Sequence, residues 1–132
     1  MNLNELEEKS QKYRRMILTM IKRAGGGHTG GSLSCIDILN VLYNAIMDIT
    51  PHNFVLQNRD HYIQSKGHSV EALYAVLADR GFFDPSDLDT LGRYLSLYVG
   101  HPTRKVNGIE HNTGSLGHGL PVAVGIALAP QL

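Results

Sequence analysis

The sequence lacks the features that mark several large classes of protein. Its single cysteine, Cys35, excludes an internal disulfide and favours a reducing compartment. Twelve acidic residues balance twelve basic ones, so no excess positive charge points to nucleic acid or to an anionic membrane surface. No apolar run reaches the roughly 18 residues of a membrane-spanning helix, and the first ten residues, MNLNELEEKS, are unlike a signal peptide. We therefore expect a cytoplasmic protein that binds neither nucleic acid nor membrane.

Familiar metal and catalytic motifs are missing too. There is no H-E-x-x-H and no cysteine pair, and His111 and His118 are spaced wrongly for one helix face, so no metal ligand is predicted in this chain. Neither a G-x-S-x-G nor a P-loop lysine occurs. Residues 25–30, GGGHTG, match the dinucleotide-binding fingerprint G-x-G-x-x-G. That fingerprint must follow a β-strand, whereas a helix is predicted before these residues, so we do not interpret them as a dinucleotide site.

Glycine followed by histidine is the pattern that stands out. Four of the seven histidines follow a glycine: His28, His68, His101 and His118. Glycine lets the backbone approach a ligand closely, and the imidazole beside it offers a polar, titratable tip. Four such pairs in one chain predict a ligand-binding site. The residues alone do not identify the ligand. For His68, between a predicted strand and a predicted helix, a ligand role and a purely local one both remain open.

Apolar spacing predicts a chain made mainly of helices. The first helix ends near Ala24, with Asn4 and Glu7 as a capping box and Gly25 as the left-handed C-cap. The glycine-rich segment 25–32, GGGHTGGS, is predicted to be a loop. Ser34 is expected to cap a second helix whose buried face includes these residues: Cys35, Ile38, Leu39, Leu42, Tyr43 and Ile46.

The second half is predicted to hold one strand and three helices. The strand is His61–Gln64, and Ser69 is expected to cap the helix that follows it. Asp84-Pro85 starts another helix, and the last lies in the Gly- and Ala-rich segment 114–129. Two apolar sets complete the prediction: Leu88, Leu91 and Leu95 on the one helix, and Leu116, Leu120, Val124 and Leu128 on the other.

Three blocks of the sequence, taken in order, resemble a known family. They are AGGGHTGGSLSCIDILNVLY, RDHYIQSKGHSVEALYAVLADRGFF and GHPTRKVNGIEHNTGSLGHGLPVAVGIALA. They are similar to the N-terminal, pyrophosphate-binding module of transketolases, and most similar to split transketolases in which this module is a separate subunit. The resemblance covers nearly the whole chain. It implies that residues 1–132 are a single, partial α/β domain, rich in helix with few parallel strands.

The resemblance also implies roles for particular residues. His28 and His101 match the catalytic histidines that face the reacting end of the substrate and the donor sugar near the thiazolium. His68 matches the histidine that approaches the diphosphate of thiamine diphosphate. Gly114, Ser115 and Leu116 match the segment that lines the ring system of the cofactor. Ser115 departs from the proline that is frequent at this position.

Other parts that the family requires have no counterpart in this chain. The resemblance implies a Gly-Asp-Gly motif and a later Asn that hold Mg²⁺ and the diphosphate, so the metal ligands are expected outside these 132 residues. It also implies a missing C-terminal transketolase part or subunit, a homo-oligomer, and sugar phosphates as substrates of a two-carbon ketol transfer. We predict that this chain is inactive alone. Two alternatives stay open: a non-catalytic interaction or regulatory module, and another thiamine-dependent enzyme.

Overall fold

The computed structural model describes residues 1–129, and these residues form helices joined by irregular segments. The α-helices are α1 (Leu3–Ala24), α2 (Thr29–Leu33), α3 (Ile36–Val41), α4 (Val70–Asp79) and α5 (Gly119–Leu128). A π-helical turn at Leu42–Ile46 follows α3, and 3-10 turns occur at Gly67–Ser69 and Pro85–Thr90. Over residues 1–129 the chain contains no β-strand. The expected helix-rich fragment is confirmed, and residues 130–132 of the predicted domain lie outside the described part.

Helix α1 is the longest element and has well-defined caps. Asn2 Oδ1 accepts a hydrogen bond from the Glu5 N–H at 3.0 Å, and the Glu5 carboxylate accepts one from the Asn2 N–H at 2.7 Å. The capping box therefore begins two residues before the predicted pair, and Asn4 and Glu7 lie inside the helix. At the other end Gly25 adopts φ +76°, which confirms the left-handed cap.

Helix α4 lies at the centre of the core. Every residue from Val70 to Ala78 is buried, including Glu71, so this helix is enclosed on all sides. Helices α1 and α3 and the turn at Pro85–Thr90 all pack against it. The buried side chains of α1 that face this core are Tyr13, Ile17 and Met20.

A cluster of charges joins the C-terminal end of α4 to α1. The Asp79 carboxylate pairs with Lys9 and Lys12, and it accepts a hydrogen bond from the Tyr13 hydroxyl at 2.7 Å. Burial alone would raise the pKa of Asp79, but the hydrogen bonds from Lys12, Lys9 and Tyr13 lower it to about 2. Burial, together with the hydrogen bond to Asp79, raises the pKa of the Tyr13 hydroxyl.

The glycine-rich loop and the second helix differ from the prediction. The segment expected to be a loop forms α2 from Thr29, and Ser34 is the residue that ends this helix. Helix α3 then begins at Ile36 without a side-chain cap. This break rotates the apolar face, so that Ile38 and Ile46 are 63% and 67% exposed. The residues of α3 and its π turn that are fully buried are Ile36, Leu39, Asn40 and Tyr43.

Three further predictions of the second half need correction. His61–Gln64 forms no strand, because a strand requires a neighbouring strand, and the Gln64 carbonyl instead accepts a hydrogen bond from the Thr113 hydroxyl at 2.7 Å. Ser69 begins α4 without a side-chain cap. Leu88 and Leu91 are buried as expected, whereas Leu95 is 84% exposed at φ +63°. Asp84 does cap the 3-10 turn that follows it, accepting from the Ser86 N–H.

Candidate functional site

Three histidines that are distant in the sequence lie together in the structure. The ring centroid of His28 is 5.4 Å from that of His68 and 5.6 Å from that of His101, and both pairs meet edge to face. His28 is the N-cap residue of α2, His68 lies in the 3-10 turn before α4, and His101 lies in an irregular segment. His28 therefore links the other two imidazoles into one group, which we call the histidine cluster.

Close backbone approaches at glycine positions make this convergence possible. A Cβ atom at Gly31 would lie 2.6 Å from Ser69 Oγ and 3.2 Å from His68 Cδ2. A Cβ atom at Gly67 would lie 2.9 Å from the backbone nitrogen of Gly114. A side chain with a Cβ atom would not fit at either position. Glycine at 31 therefore lets α2 approach the His68 turn, and glycine at 67 lets that turn approach the 113–114 segment.

Hydrogen bonds from backbone and hydroxyl groups hold the segments around His101 and Gly117 near the cluster. The Tyr74 hydroxyl, on the buried helix α4, donates to the carbonyl of Val99 at 3.0 Å. The same hydroxyl lies 3.5 Å from the His101 carbonyl. The Ser65 carbonyl accepts from the Gly117 N–H at 3.0 Å, and the Ser65 hydroxyl accepts from the Leu120 N–H at 3.2 Å. The segments that contain the second and third sequence blocks are therefore tied together around His68.

The predicted cofactor segment is brought only partly to the histidine cluster. Gly114 lies beside His101, because a Cβ on it would be 3.6 Å from His101 Cδ2. Ser115 is exposed, and its carbonyl accepts a hydrogen bond from the His118 N–H at 3.0 Å. Leu116, predicted to lie on the last helix, instead lies in the turn before α5, which begins at Gly119, and is 71% exposed. Within residues 1–129, Ser115 and Leu116 make no hydrogen bond or ring contact with the three histidines.

A buried carboxylate lies beneath the histidine cluster, and the sequence patterns did not predict it. The side chain of Glu71 is 1% exposed. It accepts hydrogen bonds from the backbone N–H of His28 at 2.9 Å and from the hydroxyl of Ser32 at 2.7 Å. The one signal in the sequence is an acid three residues after His68, followed by a run of apolar residues within the same helix. Such an acid can as easily lie on a solvent-exposed face, so only the tertiary structure reveals its burial.

A lysine adds positive charge beside the cluster. Lys66 Nζ donates to the Gly31 carbonyl and to the Ser34 hydroxyl, both at 2.8 Å. Within the described chain no carboxylate lies within 4 Å of this ammonium group. The buried Ser69 hydroxyl has no hydrogen-bond partner among the same residues. An ammonium group without an anion, an unsatisfied hydroxyl and three imidazoles together fit an anionic ligand that carries hydroxyl or phosphate oxygens.

Two other features of the molecule are weaker candidates for a functional site. Burial raises the pKa of the Cys35 thiol, so this thiol is a poor nucleophile near neutral pH. A groove of about 490 Å³ runs along α1 and the Pro85–Thr90 turn and contains none of the histidines. Two of its cations are already paired, Lys12 with Asp79 and Arg23 with Asp89. The histidine cluster therefore remains the candidate site.

No group of three or more His, Cys, Asp or Glu side chains in residues 1–129 is arranged to hold a metal ion. None of the helices in this part of the chain combines the length and the apolar character needed to cross a bilayer.

Comparisons with known proteins agree on one family. The family model described as the thiamine diphosphate binding domain of transketolase matches residues 7–132. An apulose-4-phosphate transketolase subunit from Phocaeicola vulgatus is 46% identical over the whole chain, and the match covers 47% of that protein. The 6-deoxy-6-sulfo-D-fructose transketolase subunit SqwG of Clostridium is 43% identical over 97% of the chain, again covering 47% of the relative. The chain thus spans about half the length of these relatives.

A solved structure has the same fold. The crystal structure of transketolase from Campylobacter jejuni superposes with a TM-score of 0.90 at 36% identity. The superposition covers 98% of this chain and 20% of the transketolase chain.

Proposed function

We propose, from the premise that this chain belongs to the family of transketolase thiamine diphosphate-binding domains, that it is the N-terminal part of a transketolase. Its role would be to supply one wall of a site shared between thiamine diphosphate and a sugar phosphate. The observation that supports this most strongly is the histidine cluster, in which His28 lies within 5.6 Å of both His68 and His101 between ring centroids.

Each residue of the cluster has a proposed task. His68, in the turn that leads into α4, would bind the cofactor diphosphate, where the helix N-terminus also favours an anion. His28 and His101 would be the catalytic histidines, hydrogen-bonding the sugar hydroxyls and moving protons to and from them near pH 7. Gly114 would admit the cofactor ring close to His101, and Ser115 and Leu116 would contact that ring.

The cofactor would supply the carbanion chemistry of the ketol transfer, and this chain would supply binding, orientation and proton transfer. Lys66 would offset part of the negative charge of the phosphate groups from its position beside Gly31. The exposed imidazoles need a second wall to exclude water. We propose that this wall, and the Mg²⁺ ligands, belong to parts of the enzyme outside these residues.

The exposed face of α5 supports the need for a second part. Leu120, Val124 and Leu128 of α5 are between 51% and 67% exposed, and Leu116, in the turn before this helix, is 71% exposed. A row of large apolar side chains is normally covered in a folded enzyme. We propose that the remaining part of the domain covers this face, that a separate C-terminal subunit completes the site, and that the complete enzyme is a homo-oligomer. We also propose that the chain is inactive without these parts.

A chimera tests this function. The chain is fused to the part of the Phocaeicola vulgatus relative that it does not match, and the mixture is supplied with that organism's second transketolase subunit. We expect thiamine diphosphate-dependent transfer of a two-carbon ketol unit between sugar phosphates, and none from the 132-residue chain alone. A folded chimera that binds no thiamine diphosphate would overturn the proposal and favour a non-catalytic interaction module.

A further inference from the structure

Glu71 is a buried carboxylate that has no part in the catalytic roles proposed above. Its side chain is 1% exposed, although carboxylates are rarely buried unless they are paired or well hydrogen-bonded. Within residues 1–129 no lysine or arginine lies within 4 Å of it. Its one ion-pair contact in that part of the chain is with His28, whose Nδ1 lies 3.7 Å from Glu71 Oε1. The carboxylate therefore faces the imidazole that links the histidine cluster.

The local geometry holds this contact in place. Glu71 Oε1 accepts from the backbone N–H of His28 at 2.9 Å, so the residue is held by its main chain as well as its ring. Glu71 Oε2 accepts from the Ser32 hydroxyl at 2.7 Å, which orients the carboxylate from the other side. A Cβ at Gly27 would lie 2.7 Å from Oε1. Glycine before His28 is therefore what lets the carboxylate lie beneath this peptide.

From this arrangement we infer that Glu71 is a positioning residue for His28, which fixes the ring orientation and tautomer of that imidazole. A negative charge beside Nδ1 favours the neutral form that carries its proton on Nδ1. The contact of 3.7 Å is longer than a hydrogen bond, so the preference is electrostatic. His28 Nε2, which accepts no hydrogen bond within residues 1–129, is then the nitrogen that offers a lone pair to a ligand. This inference rests on the proposed function and deepens it, because it says which atom of His28 would accept a proton from a sugar hydroxyl.

Nitrogen NMR of the histidine rings tests the inference directly. The uniformly ¹⁵N-labelled full chain is measured without ligand at about pH 8.5, where ordinary imidazoles are neutral, and the His28 resonances are assigned with a His28→Gln variant. We expect the Nδ1–H tautomer to be the majority form of His28 in the wild type. In Glu71→Gln, which keeps the size of the side chain and loses its charge, this form should become the minority.

Two controls separate positioning from a purely structural role. Ser32→Ala removes the second hydrogen bond of the same carboxylate and leaves its charge, so His28 should keep the Nδ1–H form even if the protein is less stable. Exposed His52 should have the same tautomer in every variant. If Glu71→Gln does not fold, the wild-type spectrum still decides the matter. A wild-type His28 mainly in the Nε2–H form, or an unchanged tautomer in folded Glu71→Gln, would overturn the inference.

The ligand-free measurement keeps this inference separate from the proposed function. If His28 is mainly in the Nε2–H form, the proposed role of Glu71 is wrong, but the proposal that the domain binds the cofactor is unaffected. A chimera without ketol transfer would remove the enzymatic proposal and leave the tautomer result unchanged.

Discussion

Single side chains decide whether the candidate site can act on a sugar phosphate. His28 and His101 are exposed, which is what a residue that contacts substrate requires. In the active chimera, we expect His28→Ala and His101→Ala each to lower the ketol transfer rate by about 10²-fold or more, the contribution typical of positioned acid–base groups. The affinity of both variants for thiamine diphosphate should change little. Steady-state assays with the cofactor at saturation measure this effect, and His52→Ala, in an exposed turn, is the matched control.

The glycine contacts can be tested at the same scale with a pair of positions in α5. An alanine Cβ at Gly119 would lie 2.6 Å from Ser65 Cα and 2.9 Å from Ser65 N, whereas one at Gly125 meets no atom within 4 Å. Gly119→Ala should lower the free energy of unfolding by about 1–3 kcal/mol, because backbone atoms cannot move aside easily. Gly125→Ala should raise it by up to about 1 kcal/mol, since alanine is the better helix former. Equal effects in denaturant unfolding would contradict the close contact.

Residue patterns predict the cluster better than they predict its support. The histidines could be found because glycine before histidine is visible in the sequence at positions 28, 68 and 101, and because the blocks around them resemble one family. Glu71 and Lys66 could not be found in this way. Whether an acid or a lysine belongs to a site depends on its burial and on its neighbours in the fold, which the local sequence does not show. The sequence therefore identifies the histidines that converge in the structure more readily than the charged side chains that lie beside them.

Among the elements, the contact of α1 with α4 has a charge pattern that responds to pH. Lys9, Lys12 and Tyr13 of α1 hold the Asp79 carboxylate, and its pKa is lowered to about 2. An unfolded aspartate has a pKa of about 3.9. Because the folded pKa is the lower one, the carboxylate stabilises the fold above about pH 4, and this stabilisation is lost as the pH falls towards 2.

The same contact gives a measurable prediction. Asp79→Asn should lower the free energy of unfolding at pH 6 by about 1–2 kcal/mol, after allowance for solvent screening of the pair. The difference between the variant and the wild type should shrink steadily below about pH 4. Urea unfolding at a series of pH values measures both. A difference that stays constant down to about pH 2 would show that the charge of Asp79 does not stabilise this contact.

At the level of elements, prediction succeeded where one helix is long and failed where several short pieces meet. The apolar period of α1 and its glycine cap were visible, since they depend on local spacing. The apolar face after Ser34 was misassigned, because the break between α2 and α3 and the π turn at Leu42–Ile46 shift the period. The strand predicted at 61–64 has no neighbouring strand in residues 1–129 to pair with, which a local pattern cannot reveal.

For the whole molecule, the uncovered face of α5 makes association of the isolated chain the expected behaviour. Leu120 is 67% exposed and Val124 is 51% exposed on the same helix. Sedimentation velocity should show the chain associating as its concentration rises, and the double variant Leu120→Gln/Val124→Gln should associate less. Val55→Gln is the matched control, since Val55 is 85% exposed and belongs to the turn at 51–55, outside this helix. Association that responds equally to both variants would mean that α5 is not the associating face.

We propose above all that His28, His68 and His101 form one wall of a thiamine diphosphate site that other parts of the enzyme complete. Calorimetric titration of thiamine diphosphate with Mg²⁺ tests it most directly, using the 132-residue chain, the chimera with its second subunit, and the same assembly carrying His68→Ala. We expect no tight binding to the chain alone, tight binding to the assembly, and affinity at least about tenfold lower in His68→Ala, a loss of about 1.4 kcal/mol. Tight binding by the chain alone, or undiminished binding by the His68→Ala assembly, would contradict it.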